Sequence, residues 1–300
     1  MKHLLKLSDL TPEEITEILN LADQLKYDKK NGIEHKYLKD KTLGMIFRKA
    51  STRTRVSFEV GMYQLGGNAL FLSSNDLQIG RGEETADTVR VLSRYLDGIM
   101  IRTFEQSEVE VMAAAGSIPI INGLTDYAHP CQVLADLMTI REYKGTLQGL
   151  KLCFIGDGNN MANSLIVGGI KMGMAVSVAC PKSYQPDADI MKWASENGDF
   201  VCTDDIASAA RDADVLYTDV WASMGQESEG NARREAFINY CIDDKVMGMA
   251  KSDAIVLHCL PAHKGEEITK DVFDAHADEI FDEAENRLHA QKAVLVKLLG

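Results

Sequence analysis

The sequence predicts an α/β fold of two domains, each a mostly parallel sheet flanked by helices, joined by long helices. Three observations carry this. Short apolar runs of strand character alternate with stretches of helical period, which implies parallel pairing through right-handed crossovers. The alternation pauses at a long helical stretch after Pro130 and then restarts. With 300 residues, 45% of them hydrophobic, the chain exceeds one ordinary domain and can bury two cores.

The first helix is announced by Thr11-Pro12-Glu13-Glu14, with Thr11 as N-cap, Pro12 as first helical residue and Glu14 as the capping-box partner. Ile15, Ile18, Leu19, Ala22 and Leu25 form its buried stripe. Strands follow at TLGMIF (42–47), NALFL (68–72), GIMIR (98–102) and IPIIN (118–122), with helical patterns at roughly 53–65, 83–96 and 105–115 between them. In the first of these, Val56, Val60 and Tyr63 are expected to point inward, and Gly66-Gly67 marks the end. The helix from Pro130 to about Tyr143 is the expected connector. Beyond it the strands are KLCFIG (151–156), AVSVAC (175–180), DFVC (199–202), DVLYTD (214–219) and AIVLHC (254–259). No repeat of solenoid period and no low-complexity segment is visible.

A formal charge of −13 argues against a general nucleic-acid or anionic-membrane surface, because both partners are repelled at long range. Any bound anion needs a local basic cluster. The six cysteines form no CxxC pair and no framework spacing, a usage that fits a reducing cytoplasm. The N-terminus lacks the apolar core of a signal peptide, and no apolar run approaches the ~18 residues of a membrane span. The expectation is a soluble cytoplasmic protein that binds neither nucleic acid nor membrane.

STRTR (51–55) heads a helical pattern with two arginines. Ser51 or Thr52 serves as cap, and free backbone N–H groups, the positive end of the helix dipole, hydroxyls and Arg53 together describe an oxyanion site. Arginine in a first turn is electrostatically unfavourable unless an anion sits there. In His129-Pro130-Cys131-Gln132 a polar residue again precedes a proline-led helix, here one that buries Val133, Leu137 and Ile140. His129 and Gln132 are placed to donate to a carbonyl or phosphoryl oxygen, although His129 serves equally well as a helix cap.

GDGNNMANS (156–164) follows a strand but is not a dinucleotide fingerprint: position 161 is Met161, and the next strand ends without an acid for a ribose. Asn159 and Asn160 instead place neutral amides at the strand tip, suited to a zwitterion. Asp219 ends DVLYTD and either holds an ammonium group or caps the next turn. His258-Cys259-Leu260-Pro261-Ala262-His263 matches no standard zinc spacing, and Cys259 as a nucleophile needs an adjacent base.

Taken in order, STRTR, DLQIGRGEE, IRTF, HPCQVLADLMT, GDGNNMANS, DVWASMGQE, HCLPAHKGEE and FDEAENRLHAQKA, spanning residues 51–293, resemble the aspartate/ornithine carbamoyltransferase family, nearest its ornithine-specific branch. The resemblance implies carbamoyl transfer from carbamoyl phosphate to the δ-amine of L-ornithine, giving citrulline and phosphate, within arginine metabolism and without metal or organic cofactor. It implies a carbamoyl phosphate domain over 1–135, with the C-terminal helix of about 285–300 packing back on it, and an ornithine domain over 150–280. Ser51, Thr52, Arg53, Thr54 and Arg102 then correspond to the phosphate site. Arg102, His129 and Gln132 polarise the carbamoyl oxygen, and Cys259, Leu260 and Arg287 line the same pocket; Arg102, His129 and Cys259 are the expected catalytic set. The ornithine side matches at Asn160, Asp219, Ser223 and Met224. Gln78 falls in the loop that enters a neighbouring subunit's site, which implies a homotrimer.

One departure is Arg48, where ornithine enzymes often carry an acid; it is expected to add positive charge near the phosphate site. An aspartate-specific enzyme is the near alternative, but its dianionic substrate calls for cations in the substrate loop, and DVWASMGQESEG holds none. A non-catalytic binding protein of the same fold is expected to lack part of the polar set, and none is missing.

Overall fold

The computed structural model describes residues 1–73, 77, 82–222 and 230–300. Gln78, Ser223 and Met224 lie outside the described residues. The chain forms two compact units, residues 1–135 with 286–300, and residues 136–285.

In the first unit α1 (Pro12–Lys30) starts at a complete capping box between Thr11 and Glu14. Four parallel strands follow, β1 (Thr42–Phe47), β2 (Asn68–Ser73), β3 (Gly98–Arg102) and β4 (Ile120–Leu124), interleaved with α2 (Thr52–Gln64), α3 (Thr85–Leu92) and α4 (Gln106–Ala115). Leu43 to Phe47 are all buried. Such a continuous apolar run is what a parallel strand covered on both faces requires. The strand order β2-β1-β3-β4 puts a topological switch between β1 and β3. Phe47 pairs with Arg102 there, so the loop leading into α2 and the end of β3 share one edge, the usual ligand position in such sheets. The strand expected to begin at Ile118 begins instead at Ile120.

The expected inward face of α2 is corrected by the structure. Val56 and Tyr63 are exposed, at 50% and 79%, and the buried positions are Thr54, Phe58, Gly61 and Met62. The reason is the neighbour. A Cβ on Gly61 would stand 3.3 Å from Lys292 Cγ in the final helix, so the closest approach falls where α2 has no side chain. A polar threonine and a glycine conceal that face from any apolar count.

The second unit contains β5 (Lys151–Ile155), β6 (Ala175–Ala179), β7 (Phe200–Thr203), β8 (Val215–Thr218) and β9 (Ile255–His258), all parallel, in the order β7-β6-β5-β8-β9. Its helices are α6 (Asn160–Lys171), α7 (Ala188–Asn197), α8 (Ile206–Ala210), α9 (Gly230–Phe237), α10 (Asp244–Met247) and α11 (Lys270–Ala275). The chain crosses between units within α5 (Pro130–Lys144) and again within α12 (Ala277–Leu299). Here the switch lies between β5 and β8, whose carboxyl ends lead to Asn159 and Asp219. Two parallel sheets flanked by helices are thus the architecture that the alternation of strands and helices predicts.

Candidate functional site

In the first unit Ser51 caps α2, its Oγ accepting the Thr54 N–H at 3.2 Å. No acid stands in the first turn, which instead carries Arg53 and Arg55. Arg55 is engaged elsewhere, bonding Glu59 at 3.0 Å and stacking 3.8 Å over Phe71. Arg53 is exposed on the same turn and acts electrostatically on His129. Arg102, at the end of β3, is buried and also acts on His129. Arg48, expected to add positive charge near the phosphate site, pairs its guanidinium with Glu108 at 2.5 Å.

Arg287, on α12, is 4% exposed and reaches Gln132 Oε1 at 2.6 Å and Thr54 Oγ1 at 3.4 Å. With Oε1 turned to Arg287, Nε2 is the donor end of the Gln132 amide. His129 is buried, and burial together with Arg287, Arg102 and Arg53 holds its imidazole well below the ordinary 6.5. At neutral pH it is therefore an uncharged donor rather than a cation. Ser51, Thr54, Arg102, His129, Gln132 and Arg287 all belong to this unit, whereas Cys259 and Leu260 belong to the other.

In the second unit Asn159 caps α6, and its Nδ2 donates to Asp219 Oδ2 at 3.1 Å. Asp219 Oδ1 accepts the Val220 N–H at 2.8 Å and the Cys259 thiol at 3.0 Å. A carboxylate has about four acceptor positions, so among the described residues three are filled and one remains. Burial, then Asp219, pushes the Cys259 thiol well above its usual range. Cys259 is thus a protonated donor that braces Asp219, which removes it as a covalent nucleophile. Asn160 is buried beside the cap.

Asp219, His258 and Cys259 place ligand-type atoms within 4.8 Å of one another, as do His263, Glu266 and Glu267. In the first group His258 Nδ1 accepts the Leu260 N–H at 2.9 Å, so its proton lies on Nε2, which bonds Glu267 at 3.0 Å. Both ring nitrogens are engaged. Leu260 itself has φ 56, a left-handed conformation that the His258 contact holds in place.

Gln291 escapes the sequence reading. Its Oε1 accepts from Arg287 Nε at 3.0 Å and Nη2 at 2.8 Å, and its Nε2 donates to Ser57 Oγ at 2.7 Å. The signal available was spacing, since residues four apart share a helix face. The bond from Asn159 to Asp219 has no such signal, because the partners are sixty positions apart.

The family description "Aspartate/ornithine carbamoyltransferase, carbamoyl-P binding domain" matches residues 2–142, and its Asp/Orn binding domain counterpart matches residues 148–298. An ornithine carbamoyltransferase of Pelobacter propionicus is 54% identical over 301 residues, covering 100% of this chain and 99% of that protein. One of Anoxybacillus flavithermus is 57% identical, covering 99% and 96%. Among solved structures, ornithine carbamoyltransferase from Pyrococcus furiosus superposes with a TM-score of 0.96 at 52% identity, covering 100% of this chain and 97% of that one. With both domains matched along nearly the whole chain, this protein belongs to the aspartate/ornithine carbamoyltransferase family.

Proposed function

We propose that the chain transfers the carbamoyl group of carbamoyl phosphate to the δ-amine of L-ornithine, giving L-citrulline and phosphate. The observation that carries this is the constellation of the first unit: a capped helix start carrying arginine in place of acid, beside a buried neutral histidine and the buried Arg102 and Arg287. The residues 1–135 with the end of α12 serve as the carbamoyl phosphate unit, and the second unit serves ornithine.

Ser51, Thr52, Arg53, Thr54 and Arg102 hold the phosphate at the N-terminus of α2, whose first turn carries no acid. Arg102, His129 and Gln132 direct donors at the carbamoyl oxygen, where negative charge develops as the amine adds. A neutral His129 suits this, because it donates without having to be desolvated as a cation. Arg287 orients Gln132 and lines the carbamoyl group. Asp219, with its one remaining acceptor position, receives an ammonium of ornithine, and Asn160, Ser223 and Met224 surround the amino acid. The amine attacks only once it is neutral. Nitrogen bonds to the carbonyl carbon, the bond from carbon to the phosphate oxygen breaks, and the released phosphate accepts the amine's proton.

The same reading makes the protein a cytoplasmic homotrimer. Its six cysteines are all free thiols. Among the described residues no helix is long and apolar enough to cross a membrane. Val56 and Tyr63 on α2 and Leu70 and Phe71 on the edge strand β2 leave apolar surface exposed on the first unit, a feature that subunit contact relieves.

The test is an amine screen. Phosphate release from carbamoyl phosphate is followed with ornithine, aspartate or putrescine, and ornithine is expected to be preferred by about 100-fold or more, as a site built on polar pairing implies. Preference for aspartate would overturn the ornithine assignment.

A further inference from the structure

A pair of thiols takes no part in the chemistry above. Cys180 follows the last residue of β6, and Cys202 lies in β7, the adjoining edge strand. The register partner of Cys202 is Val178, so the two cysteines meet on the diagonal, with Sγ to Sγ 3.7 Å. The Cys180 N–H donates to Thr203 O at 3.0 Å, which fixes the backbone of the first thiol against the strand that carries the second. Gln185 Nε2 approaches Cys202 Sγ at 3.9 Å.

The two sulfurs are not equivalent. Cys180 is 1% exposed, whereas Cys202 is half-buried and reachable from solvent. The hydrogen bond from Cys180 holds the Cys202 thiol below its ordinary range despite the opposing effect of burial, and Gln185 adds a second donor. That same bond, then burial, pushes Cys180 up. Cys202 is the sulfur that solvent reaches and Cys180 the buried one 3.7 Å behind it, an arrangement that suits Cys202 to attack and Cys180 to resolve. The remaining cysteines differ: burial pushes Cys131 and Cys153 up to about 12 and Cys241 up to about 11, and Cys259 is held as a thiol against Asp219.

We propose that Cys180 and Cys202 form a reversible oxidation site whose substrate is a small neutral peroxide. The Cys202 thiolate attacks the peroxide oxygen, the O–O bond breaks, and Cys202 becomes a sulfenic acid as hydroxide leaves and takes up a proton. The Cys180 sulfur then attacks Cys202, an S–S bond forms, and the sulfenic oxygen leaves as water with the thiol proton. In sum, two thiols and one hydrogen peroxide give one disulfide and two waters. Asp157 and Asp204, which act on Cys180, are paired with Arg233 at 2.7 Å and Lys182 at 3.3 Å, so the site offers little net charge to draw an anionic oxidant such as glutathione disulfide, and a small neutral peroxide is the substrate that fits. The closing movement falls on β7, held by a neighbouring strand on one side only.

The reduced protein is treated with hydrogen peroxide, quenched, denatured in urea, blocked with iodoacetamide and mapped by peptide mass spectrometry. The expected product joins the Cys180 and Cys202 peptides, is two hydrogens lighter and is reversed by dithiothreitol, while the other cysteines remain alkylated. In Cys180→Ser the sulfenic acid at Cys202 should persist and be captured by dimedone. No linked peptide, or a link formed equally among other cysteines, overturns the proposal. Phenylarsine oxide, which needs two adjacent thiols, gives an arm independent of any variant: it should protect both cysteines from iodoacetamide in the wild-type chain, and failure to do so also overturns the proposal.

Discussion

At the scale of single residues the site works by assigning each polar group a fixed number of partners. Asp219 keeps one acceptor position because Asn159, Val220 and Cys259 fill the others. Asp219→Asn replaces one acceptor oxygen by a donor and removes the charge, so ornithine binding should weaken by about 10- to 100-fold, the cost of a charge-assisted hydrogen bond. Carbamoyl phosphate binding measured without ornithine should stay within about twofold. Calorimetry with each ligand separately decides it, and equal losses would return Asp219 to a turn-capping role. His129 gives a pH prediction. Its folded pKa lies well below 6.5, so between the two values the unfolded chain binds a proton that the folded chain does not. Stability therefore falls as pH drops below 6.5, by at most about 1.4 kcal/mol per unit, and is unaffected by this group above it. Urea unfolding of the wild type and of His129→Gln should differ by a constant amount from pH 8 to 6.5, then converge as the wild type loses more. Curves that stay parallel down to pH 5 would contradict the neutral imidazole.

At the scale of elements, α12 carries the first unit's site from the far end of the chain. Arg287 touches Thr54 across 233 positions and Gln132 across 155, and Gln291 holds two of its N–H groups while bonding Ser57. Gln291→Leu leaves Arg287 without that acceptor and should weaken carbamoyl phosphate by about 10-fold or more. Ornithine binding to the resulting complex should change far less. The variant chain should also lose Arg287 order more than overall stability, and unchanged carbamoyl phosphate affinity would show that Arg287 is positioned without Gln291.

At the scale of the whole molecule, the trimer proposal makes each site depend on two chains. Arg53→Ala and Gln78→Ala chains, each expected to be inactive or nearly so, are unfolded and refolded together in equal amounts. If Gln78 serves a neighbour while Arg53 serves its own chain, a site is intact when each comes from the other variant, so about a quarter of sites should recover at random assembly. Separately refolded controls stay at parental rates. Mixed trimers, verified by mass, that show only the average of those rates would place Gln78 within its own chain's site.

The sequence by itself determined what local physics controls. Alternating period set the two parallel sheets, Thr11 with Glu14 set the start of α1, and the cap of α2 was narrowed to Ser51 or Thr52, of which the structure takes Ser51, because capping and amphipathic period act over a few residues. It also placed Arg102, Asn159 and Asp219 at strand ends, since each follows an apolar run. The tertiary structure alone decided which face of α2 is buried, because the choice belongs to Lys292 and its helix rather than to α2's own side chains. Only there, too, did Asn159 and Cys259 become partners of Asp219, sixty and forty positions apart, and Cys180 meet Cys202. Those contacts depend on the strand order β7-β6-β5-β8-β9. No period in the chain encodes that order: it arises when crossovers and packing bring the carboxyl ends of β5, β8 and β9 to one edge.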